Sequence, residues 1–381
     1  MRSARHTRAH PVGVGRTYIG PPYTRMLRPV LGAGTALLLM SCSPAAGTSG
    51  GGPAAAVSAT GQPGAGHHVY VTNQLDNTVS VIDVSTHKVV ATVPAGTGPE
   101  GIAVTPDGKR AYIAGSESAT VSALDTRTRK IVATVPVGKK PTGVALSPDG
   151  STLYVTNGGS NNVSVLDTRT NRVTATVPVG VSPVAVAVSH DGGTAYVANS
   201  GSADVSRIDT RTHRVVGTLP AGRSPVSVAV TPDGESVYVA NETTARVSVI
   251  STRTGKVTAT VPVGEGVFGV TLAPDGKKAY VAVLGPGNVK VIDTGSHRVA
   301  GTVNVGPPGT DPFNIAVTSH AVYVTDQGAG TLTVIDPQTL KVTATLALGN
   351  SPYGVAVASS GSATGAGPEG GPVSLTRRGG R

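Results

Sequence analysis

The chain has 381 residues and a formal charge of +10, but the charge gathers at its ends: residues 67–358 hold 22 basic and 20 acidic groups. That near-balance lacks the basic excess of a nucleic-acid-binding domain, so no nucleic acid is expected as a partner. No Trp, two Phe and one Cys exclude an aromatic core, an intrachain disulfide, a thiolate metal cluster and a haem held through Cys-x-x-Cys-His.

Residues 1–25 are long and rich in Pro and Gly for the start of a signal sequence, which places the expected true start at Met26. Residues 26–42 read as a signal peptide: Met26-Leu27-Arg28 is basic, Val30 to Met40 is apolar and small, and Leu39-Met40-Ser41-Cys42-Ser43 follows. That last stretch resembles the lipobox of bacterial lipoproteins. The resemblance implies lipid attachment at Cys42, with Met40 departing from the small or β-branched residue usual there. The alternative is plain secretion, with cleavage near Ala54-Ala55-Ala56. The apolar run is too short to span a bilayer. Residues 43–66 form an uncharged Gly/Ala/Ser/Pro linker, and 359–381 a tail of similar character; both are expected to be disordered.

Between them lies a repeat. Tyr70, Tyr112, Tyr154, Tyr196, Tyr238 and Tyr280 are 42 residues apart, and Tyr323 follows after 43. In one unit, Gly143-Val144-Ala145-Leu146 is a short apolar run and Ser147-Pro148-Asp149-Gly150 a turn. Leu153 to Asn157, Asn162 to Asp167 and Val173 to Val179 complete four strands. Four β-branched strands at this period predict an all-β fold with one blade per unit, a seven-bladed β-propeller over 67–358. The small residues of the first strand (Gly101/Ala103, Gly143/Ala145, Ala185/Ala187) mark it as the inner one, where strands crowd at the axis. The region enters at a second strand, His68 to Asn73, and leaves with an orphan first strand, Gly354 to Val357. One C-terminal and three N-terminal strands are therefore expected to close the ring and hide its edges.

Tyr70-Val71-Thr72-Asn73 and Tyr154-Val155-Thr156-Asn157, with near copies at 196, 238 and 323, show the tetrapeptide that names the YVTN-repeat propellers. The surrounding Ser/Thr-Pro-Asp-Gly and Val-Ala-Thr-Val-Pro-Val-Gly also resemble that family over about 290 residues. The resemblance implies a seven-bladed propeller like those of bacterial and archaeal surface and secreted proteins. Relatives include lactonase-like enzymes and modules of oxidoreductases, so it does not settle function.

No catalytic triad, metal set or cofactor motif stands out: His87, His213 and His297 repeat one place in three blades, and the Asp residues recur at turns. No cofactor and no catalytic residue is therefore assigned. Departures from the repeat are more telling. The residue just before the inner apolar run reads Glu100, Thr142, Val184, Val226, Phe268, Phe313 and Tyr353, and the longest inter-blade loop, with Asp311, lies in the same sector. These residues either seal the hub or form an aromatic and acidic pocket at the channel mouth (Glu100, Thr142, Phe268, Asp311, Phe313, Tyr353). The strand meander places the first and third turns of each blade on one face, which carries Arg127, Arg169, Arg211 and Arg253. The opposite face is expected to be acidic, with Glu100, Glu265, Asp311 and Asp326. Two functions follow: a monomeric, non-enzymatic binding scaffold at the cell envelope, meeting a protein or glycan, or a small-molecule-binding or lactonase-like enzyme using the channel mouth.

Overall fold

The computed structural model describes residues 68–358, so Cys42, the linker and the tail lie outside the described residues. Twenty-eight strands, numbered β1 to β28 in chain order, form seven four-stranded antiparallel sheets. The closing sheet has the order β28-β1-β2-β3, with β1 at His68–Asn73, β2 at Thr78–Asp83, β3 at Lys88–Pro94 and β28 at Pro352–Val357. Val69 pairs with Val357 and Tyr70 with Ala356, and the Ala358 N–H donates to the His68 carbonyl at 2.9 Å. This is the expected seven-bladed ring closed by one C-terminal and three N-terminal strands.

The inner strands are β4 (Pro99–Val104), β8 (Pro141–Leu146), β12 (Pro183–Val188), β16 (Pro225–Val230), β20 (Val267–Leu272), β24 (Pro312–Val317) and β28. Each packs against its two neighbours, and the last meets the first. They start two residues earlier than the apolar runs, six of them at a proline, which fits the first position of a strand, where its missing N–H costs no ladder bond. The mouth residues are thus second in their strands rather than ahead of them. The middle strands of every blade are almost wholly buried, whereas the fourth is largely exposed, with Val132 and Val216 about half exposed at the rim.

The turns follow local chemistry. Gly108, Gly150, Gly192, Gly234 and Gly276 all sit near φ +70° in the first turn, a conformation glycine adopts without a Cβ clash. In the third turn a strand-ending Asp caps its own backbone: Thr128, Thr170 and Thr212 each donate their N–H to Asp125, Asp167 and Asp209 at 2.7–2.8 Å. The Ser85 hydroxyl and the Thr86 N–H do the same at Asp83 and hold its carboxyl down at about 2.

The tetrapeptide itself has a division of labour. Its Tyr reaches the next blade: Tyr112 Oη donates to the Thr168 carbonyl at 2.9 Å. Its Thr clips blades together. Thr156 Oγ1 accepts the Gly143 N–H at 2.8 Å within its own blade and donates to the Val184 carbonyl of the next at 3.3 Å. Thr72 and Thr325 repeat this, donating to the Glu100 and Tyr353 carbonyls. Its Asn ties the second strand to the third: Asn157 Nδ2 donates to Asn162 Oδ1 and Ser164 Oγ.

Candidate functional site at the channel mouth

Blade order brings five of the six predicted mouth residues into one arc across adjacent inner strands: Phe268, Phe313, Tyr353, Glu100 and Thr142. Phe268 stacks on Phe313 with ring centroids 3.7 Å apart, and Tyr353 tilts against Phe313 at 4.6 Å. Phe313 is buried, so it forms the floor, while Phe268 and Tyr353 are half-buried. The Gln74 amide donates to Glu100 Oε1 at 3.1 Å, and Ser116, Thr142 and Tyr353 hydrogen-bond the same carboxyl. Burial nevertheless outweighs these bonds and pushes the Glu100 carboxyl above the usual carboxylate range. The sixth residue, Asp311, has a φ of 52° and directs Oδ2 against Gly328 in a neighbouring turn, beside the arc rather than in it. Gln74 and Ser116 were not anticipated. The available signal was their place directly after the YVTN-type tetrapeptide, a position that carries five different residue types over the seven blades.

The first and third turns do share a face: the Thr126 N–H donates to the Lys109 carbonyl at 3.1 Å, and Arg110 lies 3.8 Å from Asp125. The second turn and the inter-blade loop share the other, as when the Ser116 N–H meets the Gly98 carbonyl at 2.9 Å. Arg127, Arg169, Arg211 and Arg253 are exposed on the first face, away from Glu100. Among the described residues no three His, Cys, Asp or Glu converge as metal ligands.

Asp326, expected among the acids of the face opposite the arginines, is instead fully buried at the end of β25 (Val322–Asp326), where most other blades place Asn. Thr331 and Thr333 donate to its Oδ2 at 2.9 and 2.6 Å, while Oδ1 has no partner among the described residues. Burial raises its carboxyl to about 6, against the lowering effect of those two hydroxyls. The sign follows directly. The folded protein holds the proton between about pH 4 and 6 where the unfolded chain has released it, so stability falls as pH rises through that window. Asp326→Asn should therefore stabilise the protein at pH 7 by about 3 kcal/mol and remove this fall. Urea melts of both proteins at pH 4 and 7 check it; a pH-independent difference would refute the buried-acid account.

A family model described as YNCE-like beta-propeller matches residues 47–150. PE-PGRS family protein PE_PGRS18 of Mycobacterium tuberculosis is 54% identical over 41 residues, which is 11% of this chain and 9% of that protein. This chain thus matches under a tenth of the curated relative's length. Among solved structures, Kuenenia stuttgartiensis hydrazine synthase is 25% identical over 68% of this chain and 89% of that one, with a TM-score of 0.64. A functionally unknown protein from Desulfotomaculum acetoxidans superposes over 76% of this chain and 98% of its own, at 17% identity and a TM-score of 0.67. The dihydro-heme d1 dehydrogenase NirN gives 17% identity, coverage of 77% and 75%, and a TM-score of 0.59. At 17% identity the last two likenesses carry the fold alone.

Proposed function

We propose, from the premise that this chain is a seven-bladed β-propeller of the YVTN type, that it is an exported, lipid-anchored binding scaffold of the cell envelope. Its recognition surface is the channel mouth. The observation that carries the reading is the arc from Phe268 to Thr142. There the strands gather both Phe residues of the chain and set a desolvated carboxylate beside a half-buried tyrosine, where Val184 and Val226 stand in the remaining two blades. Aromatic faces beside a carboxylate and hydroxyls suit a partner that presents both apolar faces and hydrogen-bond donors, as an envelope protein or glycan does. The lipobox-like Leu39 to Ser43 and the uncharged linker support the tether. Twenty-four residues of such a linker would hold the ring on average about 25–30 Å from the membrane. The exposed Arg127, Arg169, Arg211 and Arg253 then offer the opposite face to anionic polymers or head groups, through contacts weakened by salt.

Two measurements test this. Cys42→Ser should move the protein from the membrane fraction to the soluble one; undiminished membrane retention would remove the lipid from the account. Envelope extract passed over the full-length protein should yield a partner that a Glu100→Gln/Tyr353→Ala variant fails to capture. Equal capture would remove the mouth. A second reading, a small-molecule-binding or lactonase-like enzyme, draws on the same carboxylate. A group with a raised pKa beside an aromatic floor is equipped for proton transfer, and turnover abolished by Glu100→Gln would select it.

A further inference from the structure

A second departure from the repeat lies on the opposite face, between the blade of β12 and the blade of β16. In six blades the middle of the third strand is a buried Val or Ala: Val81, Ala123, Val165, Val249, Val291 and Val334. In the seventh it is Arg207, on β14 (Asp204–Asp209), paired across the sheet with Tyr196 on one side and Gly217 on the other. Five blades place Ala where Gly217 stands. The guanidinium hydrogen-bonds the Tyr196 hydroxyl, and its buried Nε has no partner.

A third departure faces it. The residue before each fourth strand has positive φ, and in six blades it carries a side chain: His87, Arg129, Asn171, His213, His297 and Leu340. Several of these side chains reach back over the preceding blade. Asn171 Oδ1 accepts from Tyr112 Oη at 3.1 Å, His297 Nδ1 lies 3.1 Å from Tyr238 Oη, and Leu340 covers Gly301. At the blade that follows Tyr196 the equivalent position is Gly255, which has no side chain to reach back. Between the two blades lies a cleft of about 380 Å³ whose lining includes Tyr196, Arg207, His190, Arg253, Asp191 and Asp233.

The two arginines form no ion pair with any described residue. Each carboxylate is held in its own turn through Oδ1, Asp191 by Ser189 Oγ and the Gly193 N–H, Asp233 by Thr231 Oγ1 and the Glu235 N–H. Both belong to the common turn, as Asp107, Asp149 and Asp275 do, so what the departures add to this cleft is positive charge and space. A guanidinium donates in a planar fork that matches two oxygens of one phosphate or carboxylate, and the volume is that of a small-molecule site.

We propose that this inter-blade cleft binds a small, soluble oxyanion-bearing ligand, a phosphate or carboxylate compound, held between Arg207 and Arg253. The site is independent of the channel mouth, which lies on the other face.

The test uses the full-length protein with inorganic phosphate and succinate as probes, read by thermal shift and titration calorimetry against chloride at equal ionic strength. At least one probe should raise the melting temperature of the wild type. Arg207→Val and Gly255→Asn should each weaken that response about tenfold or more. Both install residues that other blades carry at the same place, so the unliganded proteins should melt no lower than wild type. Glu100→Gln should leave the response intact, which separates this site from the mouth. No response to either probe beyond that to chloride, or a response kept in both cleft variants, would overturn the proposal. Phosphatidylglycerol vesicles distinguish a head group from a soluble ligand. Retention should be equal for wild type and Arg207→Val, and retention lost only in the variant would overturn the soluble form of the site.

Discussion

Deletion of residues 351–381 is expected to unfold or aggregate the protein, while deletion of 359–381 leaves its melting temperature unchanged. β28 is the inner strand of the closing blade and the only C-terminal strand in a sheet otherwise built from the N-terminal end of the ring. It supplies the ladder partner of β1, and it is bound on both sides. The Gly354 N–H donates to Thr72 Oγ1 at 2.8 Å, and the Tyr353 carbonyl accepts Thr325 Oγ1 at 2.9 Å and Asn314 Nδ2 at 3.1 Å. Without it, Val69, Tyr70 and Val71, now at most 2% exposed, would sit beside an unpaired strand edge, the usual template for association. A loss of about 4 kcal/mol or more, and of about 10 °C or more in melting temperature, follows for a domain this size. Calorimetry and light scattering on the two truncations decide the matter. Matching melting temperatures would refute closure by this strand.

Gly101→Val should destabilise the ring by about 3 kcal/mol, lowering the melting temperature by roughly 6–12 °C. A Cβ at Gly101 would fall on the Thr142 carbonyl of the next inner strand, and one at Gly354 on the Glu100 carbonyl. At Gly143 the Val184 carbonyl stands 2.7 Å away, and at Gly269 the Phe313 carbonyl 2.6 Å. Main chain cannot yield as a flexible side chain can, so the added methyls must force two blades apart. The matched control is Gly295→Arg on the exposed third turn, where four other blades already carry Arg127, Arg169, Arg211 and Arg253. Its effect should stay within about 0.5 kcal/mol. Similar losses for both variants would show that the hub is not close-packed.

Much of this architecture was legible in the sequence because it is local and repeated. An Asp-Gly turn, a β-branched strand and an Asp that caps its own turn act over a few residues, and seven copies raise each signal above chance. The orphan strand at Gly354 to Val357 likewise announced the closure, since a blade begun at its second strand must find its first elsewhere. The mouth residues were identified because they break the repeat, and ring order alone makes Phe268, Phe313, Tyr353, Glu100 and Thr142 neighbours.

The sequence by itself determined the number of blades, the way the ring closes, and the face on which each turn lies. The tertiary structure alone decided what happens where blades meet. Asp326 ends its strand beside a turn and reads as a surface acid, yet it is fully buried. Arg207 and Arg253 belong to different blades, yet they line one cleft. The physical reason is the same in each case. Burial, close approach and unpaired charge are properties of two surfaces brought together, and a repeat seen one copy at a time shows only one of them.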